Sequence, residues 1–381
     1  MDNKRNLIVS EIIDKIDAPN QGISRNVNNK SIRAENDIDA IKIWLAEFQN
    51  TPNTFISYRQ TALRFILWIT QFNLTLAKIT REDIQDYQAF LANPTPKDFW
   101  CGSAKPRNHP DWRPFVKGLT QSSIKLNLQI LTTMYEYLVQ SGYLVVNPFK
   151  LIKNKGKGIV SHQHIERYLT HKEWSYVLEY IENLPRKNKD EIANYQRIKW
   201  IFTLLYLSGC RRNEIANARM SDFMHKHEHW WLKVIGKGNK YGEIPVTNDL
   251  LQALIQYRRS IGLSDYPTSV ETNIALVNNV HLSNNKFKGI SSSMLYKIIK
   301  ITCKKIADVV KVKDPSAAFV IEKVSTHWLR HTSATHQVDA GIDIRVVKEN
   351  LRHSMLETTM KYQHTEADSR HEETNNKFGI K

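Results

Sequence analysis

Three short stretches, far apart in the chain, hold polar residues that could bind or transform an anion. The first, Leu-Ser-Gly-Cys-Arg-Arg-Asn-Glu at 207–214, predicts one helix that ends at Gly209 and another that begins near Arg211. A guanidinium beside the unpaired N–H groups of a helix start is a good anion site. Many arginines near helix ends are only surface residues, so a structural interpretation of this stretch stays open.

The second stretch is a predicted β-hairpin turn at 236–240, with the sequence Gly-Lys-Gly-Asn-Lys. Its glycines permit a tight turn and a close approach to a ligand, and Lys237 at the tip reaches outward. An ordinary hairpin turn would have the same sequence features. The spacing of a nucleotide-binding P-loop is absent here.

The third stretch begins with His327 and Arg330, which share one face of a helix because they are three residues apart. His353 follows a further helical pattern, and Tyr362 lies in the next one. A lone histidine or tyrosine in such a place is usually structural. Their combination with two arginines and a lysine favours a reactive site.

The chain carries a large excess of positive charge, 54 − 38 = +16, with a pI near 9.5. Such an excess is costly in self-repulsion unless an anionic partner offsets it. It points first to nucleic acid and second to an acidic membrane surface. It argues against an enzyme of small acidic metabolites, which would need only a local cluster.

Composition excludes several other classes of protein. The 381 residues are enough for two or three globular domains, and 41% of them are hydrophobic. No run approaches the roughly 20 apolar residues of a spanning helix, and no signal peptide is recognisable. Three scattered cysteines exclude a disulfide framework and a CxxC zinc site. The cysteine usage predicts a reducing compartment, the cytosol or a nucleoid.

The elements that would position these residues fall into two domains. Apolar residues at helical spacing predict a helical domain over 36–149, after a polar tail at 1–35. About four helices are expected, with Asn36 or Asp37, Thr80 and Thr120 at three of the starts. Their apolar faces are Ile38, Ile41, Trp44, Leu45 and Phe48; Phe55, Tyr58, Ala62, Leu63, Ile66 and Ile69; Ile84, Tyr87 and Leu91; and Ile124, Leu128, Leu131, Tyr135 and Leu138.

A proline-rich insertion at 94–118 interrupts the helical domain. It interleaves basic residues with four aromatic ones, Phe99, Trp100, Trp112 and Phe115. Two interpretations are open: a surface excursion with its own small aromatic cluster, or a DNA-contacting insertion in which Arg113 is a candidate contact.

Residues 150–168 have the composition of a basic linker. Lys153, Lys155 and Lys157 stand among glycine and asparagine without a sustained apolar period. A solvated segment and a linker that lies on phosphates fit this composition equally well.

A second domain is predicted over 169–370, followed by a tail at 371–381. Thr170 and Glu173 have capping-box spacing at its first helix. A β-hairpin is predicted over 230–246, and helices before and after it. The fold class is therefore mainly α with a small β-hairpin or sheet.

In order and spacing, the polar positions resemble those of the tyrosine recombinases, also called the phage integrase family. The matching residues are, in chain order, Arg211 with Glu214, Lys237, His327, Arg330, His353 and Tyr362. The resemblance covers about 36–370. It implies a two-domain C-clamp, with a helical core-binding domain on one side of a DNA duplex and a mixed α/β catalytic domain on the other.

The resemblance also implies an activity and partners. The enzyme would cut and rejoin DNA at a specific site through a Holliday junction, and so integrate, excise or resolve a mobile element. It would act as a homotetramer on double-stranded DNA and exist as a monomer or dimer when free. No cofactor or metal is implied, and no particular accessory protein. The resemblance further implies a bacterial, nucleoid-associated cytoplasmic protein with no membrane partner.

The resemblance assigns roles to the residues at the reacting phosphate. Tyr362 would be the nucleophile that forms a covalent 3′-phosphotyrosyl bond. Arg211 and Arg330, with His353 as a further donor, would neutralise the charge that builds on the phosphoryl oxygens.

Two further residues would move protons. His327 is the candidate base for the tyrosine proton, and Lys237 is the candidate acid for the leaving 5′-oxygen. Candidate contacts to DNA away from the reacting phosphate are Lys153, Lys155, Lys157, Lys240 and Arg113.

The chain departs from the family pattern at three places. Arg352 stands where a glycine is usual, which adds charge near the phosphate and removes a flexible turn residue. Cys210 replaces a larger aliphatic residue and is expected to be small and packed. The chain between the hairpin and His327 is longer than in compact members, with the extra length near 278–289 or 313–323.

Two other functions are compatible with these features. A type IB topoisomerase has the same kind of site but acts as a monomer and without sequence preference. A non-catalytic DNA-binding accessory protein would share only the fold, and the filled catalytic positions disfavour it.

Overall fold

Helices with one apolar face build both halves of the chain, as the spacing of apolar residues predicts. The computed structural model describes residues 14–15, 31–107, 109–152, 167–236, 241–279 and 287–352. The chain divides into two units, residues 1–161 and 162–381, and each has its own hydrophobic core. The mainly helical fold class is confirmed.

In its described part, the first unit holds five α-helices and two short 3-10 helices. They are α1 (Asp37–Ala46), α2 (Pro52–Gln71), a 3-10 turn (Leu76–Lys78), α3 (Arg81–Ala92), α4 (Lys97–Trp100), α5 (Gln121–Gln140) and a second 3-10 turn (Pro148–Leu151). The side chains of Asn36, Thr80 and Thr120 each accept a first-turn backbone N–H and so cap α1, α3 and α5. The predicted starts of these three helices are therefore confirmed.

The core of this unit extends beyond the predicted limits, 36–149. The Ser31 N–H donates to the Ser141 carbonyl oxygen at 2.8 Å, so the end of the predicted tail is attached to the helices. At the other limit the Pro148–Leu151 turn continues past residue 149, and Ile152 packs against the same core. The first residues of the predicted linker therefore belong to the helical unit.

The proline-rich insertion contributes to the core instead of forming a cluster of its own. Trp100, on α4, is 0% exposed and Phe115 is 1% exposed. Their ring centroids lie 4.8 Å and 5.8 Å from that of Phe90 on α3. The interpretation as a separate surface cluster was wrong, because α3 offers these rings an apolar face that water would otherwise cover.

The second unit contains the remaining helices that the structure describes. They are α6 (His171–Glu182), α7 (Lys189–Ser208), α8 (Arg212–Asn217), a 3-10 turn (Met220–Asp222), α9 (Asn248–Ser260), α10 (Ser292–Val310), α11 (Pro315–Lys323), α12 (Thr326–Asp339) and α13 (Ile344–Leu351). The Thr170 hydroxyl and Glu173 carboxylate form the predicted capping box of α6. Helix α11 lies in one of the two stretches predicted to hold extra length.

A three-stranded antiparallel sheet accompanies these helices, in the order β1-β2-β3. The strands are β1 (Phe223–Lys226), β2 (His229–Ile235) and β3 (Tyr241–Pro245). Leu232 pairs with Ile244, and both point into the core. The predicted hairpin is confirmed, and β1 is an addition. Its four residues are too few and too polar to show a strand period.

Candidate active site

Arg211 is held at the start of α8 by a buried carboxylate. Helix α7 ends at Ser208, Gly209 takes a left-handed conformation with φ +56°, and Arg211 is the residue before α8. The Glu214 carboxylate accepts the Arg211 backbone N–H at 2.7 Å and its Nη1 at 3.0 Å. The Glu214 side chain is 3% exposed and that of Arg211 is 42% exposed. A buried anion therefore orients a cation that still reaches the surface.

Arg330 joins three separate elements from its place on α12. Its side chain is buried; Nη1 donates to the Gly209 carbonyl at 2.6 Å and Nη2 donates to the Leu351 carbonyl. Burial, and then the charges of Arg211 and Arg352, lower the pKa of Arg330 to about 10, so it is still a cation at neutral pH. It ties the turn before α8 to the end of α13.

Two features favour glycine at position 209: the left-handed backbone conformation and the lack of space for a side chain. A Cβ at this position would lie 2.6 Å from Cδ2 of Leu351, closer than two carbons can approach. The turn before α8 thus packs against the end of α13, whose next residues are Arg352 and His353.

His327 lies on the exposed side of the first turn of α12. Partial burial, and then the positive charges of Arg330, Arg167 and Arg211, lower its pKa below the usual value. The imidazole is therefore neutral at neutral pH and can accept a proton. Sequence reasoning had not given Arg167 a role, because nothing in the sequence places it near α12.

Arg352 is the residue from which the sequence predicts extra positive charge, without indicating its partner. It ends α13 in the left-handed conformation, with φ +55°, where a glycine is the common choice. Its Nη2 donates to Glu214 Oε2 at 2.5 Å. The predicted extra charge is thus present beside Arg211 and Arg330, and it is paired with a carboxylate.

The structure brings together Arg211, His327 and Arg330 from the predicted set. The other predicted catalytic residues and most predicted DNA contacts lie outside the described residues: Lys237, Lys240, His353, Tyr362, Lys153, Lys155 and Lys157. Arg113 belongs to the first unit, where its Nε donates to the Asp98 carbonyl and its Nη1 to the Trp112 carbonyl. Those two bonds hold the insertion in shape.

A second polar cluster in this unit has the residue types of a metal site. The ligand atoms of His171, His336 and Asp339 lie within 4.8 Å of one another. However, His336 Nδ1 bonds the Tyr206 hydroxyl and its Nε2 bonds the Leu169 carbonyl, both at 2.9 Å. With both ring nitrogens engaged, His336 anchors the start of the unit to α12 and does not offer a lone pair to a metal.

None of the helices in the described ranges is long and apolar enough to cross a membrane. The features that the described residues do show are a mainly helical unit, a small sheet, and a cluster of cations around one buried carboxylate.

The second unit matches a known protein family. The model of the phage integrase family matches residues 162–369, so the chain belongs to that family. It is a site-specific recombinase of the tyrosine type, as the resemblance implied.

Individual relatives extend the similarity over both units. Tyrosine recombinase XerC of Thermodesulfovibrio yellowstonii is 27% identical over 66% of this chain and 74% of its own length. Tyrosine recombinase XerD of Rickettsia bellii is 24% identical over 86% of this chain and 93% of its own.

Two solved structures share the fold at low sequence identity. The XerH recombinase bound to a palindromic difH substrate has a TM-score of 0.55 at 18% identity, covering 98% of this chain and 95% of its own. The Tn1549 transposon integrase with transposon right-end DNA has a TM-score of 0.55 at 14% identity, covering 89% and 99%.

Proposed function

We propose that this recombinase cuts DNA by attack of the Tyr362 hydroxyl on a phosphodiester, with a 3′-phosphotyrosyl bond as the intermediate. The observation that carries the proposal is the convergence of Arg211, at the start of α8, with His327 and Arg330 of α12, more than a hundred residues later in the chain. Two cations and a neutral imidazole near one another suit a pentacoordinate phosphorus, whose equatorial oxygens gain negative charge.

Cleavage then needs two proton transfers. His327 takes the proton from the Tyr362 hydroxyl as the oxygen–phosphorus bond forms. Lys237 gives a proton to the 5′-oxygen as the old bond breaks. His353 donates to a phosphoryl oxygen. In the second step a 5′-hydroxyl of another strand attacks the phosphotyrosine and releases the tyrosine, so the bond energy is kept and strands are exchanged.

The full reaction requires DNA partners and more than one subunit. We propose a homotetramer on two double-stranded sites, with a Holliday junction between the two exchanges, and a monomer or dimer off DNA. Both domains contact the duplex, and Lys153, Lys155, Lys157, Lys240 and Arg113 bind phosphates. The role we propose is to integrate, excise or resolve a mobile element in the bacterial cytoplasm; a transposon integrase is among the proteins that share this fold.

The test uses a nicked suicide duplex built on the sequence that the full-length protein selects from fragments flanking its gene. The nick lets the short cleaved piece diffuse away, so the covalent intermediate accumulates. We expect a protein–DNA adduct that survives denaturation and is absent for Tyr362→Phe. Failure to form the adduct would overturn the proposal. Adducts on any sequence, with plasmid relaxation and no junctions, would indicate a topoisomerase instead.

A further inference from the structure

Arg352 reaches from the end of α13 to the start of α8. Its Nη2 donates to Glu214 Oε2 at 2.5 Å, and the two side chains are 15% and 3% exposed. Because neither partner is well hydrated, water screens their attraction only weakly. The bond therefore holds two ends of the site together more firmly than a surface ion pair would.

The sheet leaves room for this side chain at one position. Gly242 lies on β3, and a Cβ there would overlap Cδ of Arg352. The backbone of Gly242 is not left-handed, so its conformation does not demand glycine. The missing side chain instead provides the space in which Arg352 crosses β3.

Glu214 has a second task, since the same carboxylate holds Arg211. Oε2 accepts the Arg211 backbone N–H and Oε1 accepts Nη1. Arg352 therefore holds Glu214, the residue that orients the Arg211 side chain. The Arg211 side chain is 42% exposed and that of Arg352 is 15% exposed, so Arg211 is the cation that faces outward.

We propose that Arg352 is a positioning residue for strand cleavage. It fixes Glu214, and through it Arg211, and it links α8 to the end of α13 directly before His353. This inference rests on the proposed function of Arg211 at the scissile phosphate. A glycine at this position would leave the end of α13 without this side-chain bond to α8, and Arg352 supplies it.

The first experiment compares Arg352→Gly with the wild type on the suicide duplex. Glycine accepts the left-handed backbone at this position, so the change removes the side chain without strain. We expect single-turnover cleavage to slow by about 10- to 100-fold, as for a misplaced reacting group. The Kd for DNA should change by less than about twofold. The salt dependence of the Kd should not change, because a positioning residue neutralises no phosphate, whereas each lost phosphate contact would lower the slope by about 0.9.

Two variants serve as controls. Arg345→Gly removes the same charge from α13, at an exposed pair with Asp343, and should cleave at the wild-type rate. Arg352→Lys keeps the charge and one bond to Glu214, so it should recover part of the lost rate.

A double substitution separates positioning from loss of folding. Gly242→Ala alone should slow cleavage, because its methyl group displaces Arg352. In the Arg352→Gly background the same methyl group occupies empty space, so the double variant should be no slower than Arg352→Gly alone. If Gly242→Ala slowed cleavage by the same factor in both backgrounds, the inference would be overturned. A wild-type cleavage rate for Arg352→Gly, or a lower salt slope of DNA binding, would also overturn it. A Tyr362-dependent adduct in the wild type would leave the proposed function intact in each of those cases.

Discussion

At the scale of single side chains, positive charge is concentrated around Glu214. Three guanidinium groups, those of Arg211, Arg330 and Arg352, surround the one carboxylate of Glu214. The excess charge is held in place before any substrate arrives, because backbone carbonyls and the carboxylate fix each group. Preorganised cations of this kind avoid the reorganisation that water would need as charge develops.

The lowered pKa of His327 predicts the pH dependence of cleavage. The ring stays neutral down to a pH below the ordinary pKa of histidine, because partial burial and nearby arginines disfavour the imidazolium. The cleavage rate should therefore fall only below that pH. Arg167→Gln removes one of these charges, so the acidic limb should move to higher pH. Adduct formation in single-turnover reactions between about pH 5 and 8 measures this.

DNA binding, measured at each pH, is the control for that profile. A His327→Ala protein should lose most of its rate together with the acidic limb. If the cleavage rate of this variant still fell at the same acidic pH, another group would be the base.

At the level of elements, the 94–118 insertion shows how a loop of mixed composition becomes part of a core. Trp100 and Phe115 pack on α3, and Arg64 on α2 stacks over the Phe115 ring at 4.3 Å. Gly118 lets the end of the insertion come close to the backbone of α3, since a Cβ there would overlap the Ala92 carbonyl.

Trp100→Ala should therefore destabilise the protein by about 3–5 kcal/mol, the usual cost of removing a buried large aromatic side chain. Urea unfolding of the full chain, followed by circular dichroism, gives this difference. Phe99→Ala is the matched control, because the neighbouring Phe99 is only half-buried and should cost clearly less. Similar losses for both would mean that the insertion is not part of the cooperative core.

For the whole molecule, the net charge of +16 predicts binding that weakens steeply with salt. Each phosphate that the protein neutralises contributes about 0.9 to the slope of log Kd against log salt. Replacing Lys153, Lys155 and Lys157 by glutamine should lower that slope by up to about 2.7 if each lysine binds one phosphate. Fluorescence anisotropy with a labelled duplex at several salt concentrations measures it.

A variant with the same net charge controls for the overall field. It replaces three exposed lysines of the second unit, Lys187, Lys189 and Lys311, by glutamine. A similar fall of the slope in this variant would show that the linker lysines bind phosphates no more than other exposed lysines do.

The sequence by itself determined the local features and the family. The caps at Thr80, Thr120 and Thr170 predicted helix starts correctly, because a cap bonds only to the turn that follows it. The predicted hairpin was correct because its alternation is visible within a few residues. The order of the polar positions was enough to identify a tyrosine recombinase.

Only the tertiary structure decided which groups hold the site together. Glu214 as the common partner of Arg211 and Arg352, and the Arg330 bond to Gly209, join residues that lie more than a hundred positions apart. The burial of Trp100 against α3 is likewise a contact between elements. No period or cap records such contacts, because they depend on how helices pack after each has formed.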